Sequence, residues 1–359
     1  MRMTRGGDKM AAVSYHCPNC GGELNFDPNI QNYKCDYCGS DFEIEKIKEI
    51  QKETEWQNFS ETKEEESKQC EGMVYTCPSC GAEIVTDETT AATICYYCHT
   101  PVILTGKLSG NYMPDLILPF SFDKKEAQKR FLRFVRTKRY VPSSFFQKKQ
   151  IEQIKGVYFP FWIYECKTKG NVRGEGVRIR IWRQGDFEFT ERNTYYVERE
   201  GEATFKNIVK NGLGKAEYDL AQGVHPFDLT QAKPFSMGYL AGFQAEKRNI
   251  EREDLQEEVQ REVKNQTKRM LEESMAGYSV KNIEGCSVKT MEEKWKYILL
   301  PVWILTYKGK NNEIYYYAMN GQDGKVCGKL PVWYKKLWLH SGILAAIVMI
   351  LCMIGGSFL

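Results

Sequence analysis

Cys17-Pro18-Asn19-Cys20-Gly21 and Cys35-Asp36-Tyr37-Cys38-Gly39 recur sixty residues later as Cys77-Pro78-Ser79-Cys80-Gly81 and Cys95-Tyr96-Tyr97-Cys98-His99. Both copies follow the spacing C-x₂-C-x₁₄-C-x₂-C. Two residues between ligands let one tight turn aim two sulfurs at one metal, and fourteen between the pairs accommodate a short hairpin. A knuckle of this kind turns through a positive φ just after its second cysteine, where glycine carries no Cβ penalty. Gly21, Gly39 and Gly81 stand at that place, and His99 takes the fourth.

The spacing predicts two small Cys₄ zinc ribbons, at 14–42 and 74–104. Their ligands are Cys17, Cys20, Cys35 and Cys38 in the first, and Cys77, Cys80, Cys95 and Cys98 in the second. Zn²⁺ is the first choice of metal, two ions per chain, with iron the other metal that four thiolates take. Four thiolates close the coordination shell and leave no position for an activated water, so the ions are structural. His16 and His99 flank ligands as packing or supporting residues.

Outward from the ribbons, 43–73 forms an acidic helical linker with Ile44, Ile47, Trp56 and Phe59 on a partial apolar face. The whole chain has 359 residues, 27% charged and 42% hydrophobic, enough for two or three packed domains and unlike a disulfide-stapled secreted domain. Met1 to Cys17 holds no apolar core of a signal peptide. The net charge of +3 hides an asymmetry. Residues 1–110 carry 10 Lys/Arg and 18 Asp/Glu, a balance of −8, and the remainder is at +11. Each Zn(Cys)₄ centre adds a further −2. Phosphate binding requires cationic side chains, so nucleic acid is an unlikely partner of the ribbons, although Tyr37, Tyr96 and Tyr97 are of the type that stacks on bases. Protein docking is the favoured role, and a membrane-tethered nucleic-acid-binding protein is the alternative.

Residues 111–330 are expected to form an α+β domain with antiparallel sheets and two similar halves. Asp123 caps a helix with Glu126 three positions inside. Ala127, Phe131, Phe134 and Val135 lie on one face; Lys125, Lys129, Arg133 and Arg136 lie on the other, with Pro142 as the stop. Between Lys124 and Lys149 stand ten basic residues and one acid, a pattern that attracts anionic headgroups when a membrane is near. Gly156-Val157-Tyr158-Phe159-Pro160-Phe161-Trp162-Ile163-Tyr164 and Tyr297-Ile298-Leu299-Leu300-Pro301-Val302-Trp303 are apolar strands, each with proline two residues before tryptophan. Such a proline marks a strand start or an edge. A helix over Asp254–Met275 precedes the second phrase. Further strands are expected at Arg178–Trp182, Phe187–Glu191, Thr194–Glu198 and Ile314–Met319, with a turn at Asn320-Gly321-Gln322-Asp323-Gly324. No catalytic set emerges, so the chain is not expected to be an enzyme. His225 precedes Pro226 in a loop, and Cys166, Cys286 and Cys327 have the setting of packed thiols.

The last 23 residues, Leu337 to Leu359, contain no charged side chain. A helix of that length spans about 35 Å against a hydrocarbon core of about 30 Å. Trp333, Tyr334 and Trp338 provide an aromatic belt, and Lys335 and Lys336 positive-inside charges. The expectation is a single-pass C-terminal anchor at 337–359 in the cell membrane, with the N-terminal bulk in the cytoplasm.

Taken together, the paired C-P-x-C ribbons, Gly156–Trp162, Tyr239-Leu240-Ala241-Gly242-Phe243-Gln244-Ala245-Glu246, Leu300-Pro301-Val302-Trp303 and Asn320–Val326 resemble a bacterial group of membrane proteins with transcription-factor-IIB-type zinc ribbons. Asp323 replaces the threonine usual in the last motif. The resemblance implies a non-enzymatic membrane scaffold for envelope-stress assemblies containing phage shock protein A and a flotillin-like partner.

Overall fold

The computed structural model describes residues 12–47, 73–78, 83–86, 89–95, 100–104, 112–142, 145, 147–214, 223–308 and 314–356. The acidic segment 48–72, Cys80 and Cys98 lie outside the described residues. The chain divides into two units. The first comprises Met1–Phe159, Lys215–Lys247 and Leu299–Leu359; the second comprises Pro160–Gly214 and Arg248–Ile298.

In the first unit, β2 (Leu24–Asp27), β3 (Asn32–Cys35) and β4 (Asp41–Phe42) form a small antiparallel sheet within the first cysteine module. The second module contributes a two-stranded sheet, β5 (Met73–Thr76) with β6 (Glu83–Thr86). Its remaining strands, β7 (Thr90–Ile94) and β8 (Pro101–Leu104), pair with each other, and β8 pairs with β1 (Ala12–Val13). β7 also pairs with β13 (Gln244–Glu246), Ala245 opposite Ala92. β13 in turn lies parallel to the start of β10 (Lys155–Gln184), with Val157 opposite Gln244. The second module therefore shares one sheet with the α+β region.

The Tyr239–Glu246 phrase is the junction. Its Ala241 carbonyl accepts from the Phe26 amide at 3.1 Å, fixing the β2–β3 hairpin. Gly242 has φ +88°, and a Cβ there would meet Asn25 Oδ1 at 3.0 Å. Phe243 stacks on Phe120 at 4.4 Å, and Phe120 meets Tyr158 at 5.0 Å and Trp303 at 4.8 Å. This aromatic cluster is the core of the unit, joined by the buried Phe26 of the first module, whose ring is 6.5 Å from that of Phe243.

Helix α1 (Lys124–Arg136) starts at the expected cap, Asp123 Oδ1 accepting from the Glu126 amide at 2.8 Å. Ala127, Phe131 and Val135 are buried, while Lys125, Lys129, Arg133 and Arg136 are exposed. The helix ends at Arg136 rather than at Pro142: the Thr137 hydroxyl donates back to the Phe134 carbonyl at 2.7 Å, closing the last turn. A short helix, α2 (Lys148–Ile151), follows. β9 (Leu116–Ile117) pairs with β12 (Lys233–Pro234), and the C-terminal part of β14 (Val280–Lys308) pairs with β15 (Ile314–Asn320), which pairs with β16 (Val326–Lys329).

In the second unit, alternating side chains draw β10 and β11 (Phe187–Asn211) into one long antiparallel hairpin, turning at Gly185-Asp186 with Gln184 opposite Phe187. Three strands expected as separate pieces, Arg178–Trp182, Phe187–Glu191 and Thr194–Glu198, thus belong to two continuous ones. Arg192 and Asn193, left between the last two ranges, pair with Ile179 and Arg178. Helix α3 (Arg252–Glu273) begins two residues earlier than expected, Asp254 serving as its third residue and accepting from the Glu251 amide at 3.0 Å. Val259, Val263, Thr267 and Leu271, four residues apart, form its buried stripe. They meet Tyr164, Cys166, Val172 and Val197 of the hairpin. Gly170 permits the approach, since a Cβ there would lie 2.8 Å from Leu271 Cδ1. Arg248, 5% exposed, lies over Trp162 and Tyr297 at 4.8 and 5.5 Å and ion-pairs with Glu251.

Helix α4 (Tyr334–Gly356) begins three residues before the expected anchor and takes in Lys335 and Lys336. Among the described residues it is the one helix long and apolar enough to cross a membrane, and none of its described side chains is buried.

Candidate metal centre

Two knuckles of the same shape build the site in the first module. At one, the Gly21 amide donates to the Cys17 carbonyl at 2.8 Å and the Cys17 amide to Gly22 at 2.6 Å. At the other, Gly39 donates to Cys35 at 2.9 Å and Cys35 to Ser40 at 3.0 Å. Gly21 and Gly39 both have φ +73°, the left-handed turn expected after the second cysteine of each pair.

The four sulfurs of Cys17, Cys20, Cys35 and Cys38 lie within 4.8 Å of one another. Cys17 Sγ is 3.6 Å from Cys38 Sγ, and Cys20 Sγ is 3.5 Å from Cys35 Sγ. A tetrahedron of thiolates around Zn²⁺, with Zn–S of about 2.3 Å, has edges of about 3.8 Å. The residues fit a metal ion of that size. Cys17 and Cys35 are buried and Cys20 and Cys38 exposed, so the site sits at the surface with one side anchored in the module.

A supporting pair stands behind Cys38. Ser40 Oγ is 3.3 Å from Cys38 Sγ and accepts from Asn19 Nδ2 at 3.0 Å. The Ser40 hydroxyl and then its backbone N–H draw the Cys38 thiol below the usual thiol range, while Cys20, against the lowering Gly22 N–H, is pushed up by its Cys35 and Cys38 neighbours. Sequence reading missed Ser40 and Asn19, because serine and asparagine beside a turn are ordinary turn residues and nothing in the spacing marks them.

In the second module Cys77 and Cys95 are brought together, both buried with Tyr75, Val102 and Leu104. The Cys95 amide donates to Thr100 at 2.8 Å, as Cys35 does to Ser40 sixty positions earlier. Thr100 Oγ1 also hydrogen-bonds Glu23 of the first module. The other two expected ligands, Cys80 and Cys98, are outside the described residues.

The chain is 30% identical over 353 residues to the uncharacterized protein YdjG of Bacillus subtilis (strain 168), across 96% of this chain and 99% of the relative. The chain belongs to the YdjG family. Coverage of that extent places both the cysteine modules and the sheet region inside the shared length. No family model and no solved structure matches the chain.

Proposed function

We propose that this chain is a membrane-anchored, cytoplasm-facing scaffold, in which two structural Zn²⁺ ions shape the modules that recruit protein partners. The observation that carries the reading is helix α4: a long apolar helix with no described side chain buried, whose environment in water would be unfavourable and in a bilayer favourable. The close cysteine sulfurs support the second part. Their closed four-thiolate set offers a metal no open position, which favours a structural ion over a catalytic one. Exposed Asp36, Asp41, Glu43 and Glu45 outnumber Lys34 and Lys46 around the first module, so a partner with a basic surface complements it. Reduced thiolates favour the cytoplasmic side, as do Lys335 and Lys336 at the start of α4. An envelope-stress assembly with phage shock protein A and a flotillin-like partner is the setting the sequence resemblance implies.

Crosslinked pull-down from membranes, with mass spectrometry, tests the proposal. Point substitutions are the right perturbation, because β1, β7 and β8 belong to the main sheet and deleting residues 1–110 would tear it. Partners retained by the wild type should be lost from Cys17→Ser and Cys38→Ser. An identical partner set in all three, or extraction of the chain by alkaline carbonate, would sink the reading.

A further inference from the structure

Two segments far apart in sequence meet at the head of α4, both within the first unit. Past the end of α1 the chain runs through Lys138 and Arg139 to Tyr140, whose carbonyl oxygen accepts from the Trp333 N–H at 2.6 Å. The Tyr140 ring meets that of His340 edge to face at 5.7 Å. A cleft of about 400 Å³ opens between Tyr140 and α4. Arg139, His340 and Ser341 line its polar part, and Ile343, Leu344 and Ile347 the part further along the helix. At 1.5 Å per residue, Ile347 lies about 9 Å further along the axis than Ser341.

Both segments are cationic and neither holds an acid. Residues 131–149 contain six basic side chains and no aspartate or glutamate. Nothing acidic follows Asp323, while Lys335 and Lys336 stand in the first turn of α4. The one acid of α1, Glu126, is near the start of that helix and pairs with Arg130 at 3.1 Å. Among the described residues the cleft lining has no carboxylate. Arg133, Arg136, Lys138 and Arg139 are all exposed. A guanidinium meets a phosphate with two parallel N–H···O bonds. Cation, then imidazole and hydroxyl, then aliphatic side chains is also the order of polarity in a phospholipid, read from phosphate to acyl chain.

We propose that this cleft binds an anionic phospholipid: Arg139 takes the phosphodiester beside His340 and Ser341, and an acyl chain lies along Ile343, Leu344 and Ile347. The proposal rests on the reading of α4 as a membrane anchor and adds a headgroup preference to it. The basic face of α1 attracts anionic headgroups at large. The cleft differs in joining a cation to an apolar wall, and a soluble phosphate has nothing to fill the apolar part.

Full-length protein is reconstituted into phosphatidylcholine vesicles containing a trace of phosphatidylglycerol or phosphatidylcholine with a diazirine in one acyl chain. Light expels N₂ from the diazirine, and the carbene left inserts into a nearby C–H bond. Labelled residues are mapped by mass spectrometry. Ile343, Leu344 and Ile347 should take about fivefold more label from phosphatidylglycerol than from phosphatidylcholine, the factor that one cation supplies at a bilayer surface. Ala345 and Met349, on the opposite side of α4, should take the two lipids equally. Arg139→Gln should bring the ratio at the cleft toward one, and Lys129→Gln, on α1 outside the cleft, should leave it unchanged. Phosphatidylcholine labelling should be the same in both variants as in the wild type, which checks that α4 is still inserted. Glycerol phosphate in excess should leave the ratio as it is. Equal labelling of the cleft by the two lipids, equal loss in the two variants, or competition by glycerol phosphate overturns the proposal and leaves the anchor standing. Label from neither lipid anywhere on α4 overturns the anchor reading and the proposal with it.

Discussion

The backbone N–H of Gly212 donates to the carbonyl oxygen of Pro160 at 3.0 Å. The same relationship recurs where Gly321 donates to Pro301 at 2.9 Å. Each glycine follows an asparagine whose Oδ1 accepts the amide two residues on: Asn211 from Leu213 and Asn320 from Gln322, both at 2.8 Å. Each antiparallel ladder begins one residue past its proline, with Phe161 opposite Asn211 and Val302 opposite Asn320. The shared Pro-x-Trp phrase is thus part of a larger device. Proline offers the ladder only its carbonyl, and here that carbonyl is satisfied by a glycine amide at the ladder's end.

Alanine at these glycines should be costly, and unequally so. A Cβ at Gly321 would come 2.6 Å from Phe120 Cδ1 and 2.8 Å from Pro301 Cβ; one at Gly212 would come 3.0 Å from Pro160 O. Gly321→Ala is expected to lose about 1–3 kcal/mol through overpacking of the aromatic cluster, and Gly212→Ala less. Thermal unfolding followed by tryptophan fluorescence gives the ranking, and an unchanged Tm for Gly321→Ala would contradict so close an approach.

Elemental analysis of protein purified without added metal should return two zinc ions per chain. Cys17→Ser should return one, since a three-thiolate remnant binds far more weakly. Ser40→Ala keeps all four ligands and removes the hydroxyl 3.3 Å from Cys38 Sγ. Its first site should lose metal to a competing chelator about 10- to 100-fold more readily. Wild-type resistance in that variant would show that Ser40 does not support the ligand.

Gly238→Ala separates metal binding from docking of the first module. A Cβ there would lie 2.6 Å from Tyr33 Cζ and collide with the Tyr33 hydroxyl, and Tyr33 is 1% exposed. The β2–β3 hairpin should exchange its amide hydrogens about tenfold faster or more, a loss of roughly 1.4 kcal/mol, while zinc content stays the same. Loss of zinc in this variant would mean that docking and metal binding are one event.

His225 makes stability depend on pH. Burial first, and Lys325 second, push its imidazole from an ordinary 6.5 down to about 4. Between those values the unfolded chain binds a proton that the folded chain refuses, so stability is complete above about 6.5 and falls as the pH drops toward 4. The contribution is at most about 3 kcal/mol, less what residual solvent contact screens. His225→Gln should flatten this limb of the stability–pH curve. An unaltered limb would place its origin in other groups.

What the sequence determined by itself is local. Spacing within 22 residues set the cysteine knuckles and the left-handed Gly21 and Gly39. Asp123 announced a helix start because capping needs only the next three residues. The tail announced itself because 23 residues without a charged side chain need no partner to be recognised.

Tertiary structure alone decided the rest. Arg192 and Asn193 lie inside a 25-residue strand because β10 supplies partners on both sides of them and to each, Ile179 and Arg178. Nothing near Tyr239–Glu246 in sequence tells that it will hold Phe26 at its middle and pair with β7 and β10 at its end. Those partners lie about 85 to 215 residues away. Lys124 of α1 and Lys155 of β10 likewise border one cavity with Phe243, and no short-range pattern brings them there. Strand partners and cavity walls are choices among distant segments, made by shape and burial across the whole chain, and no local pattern encodes them.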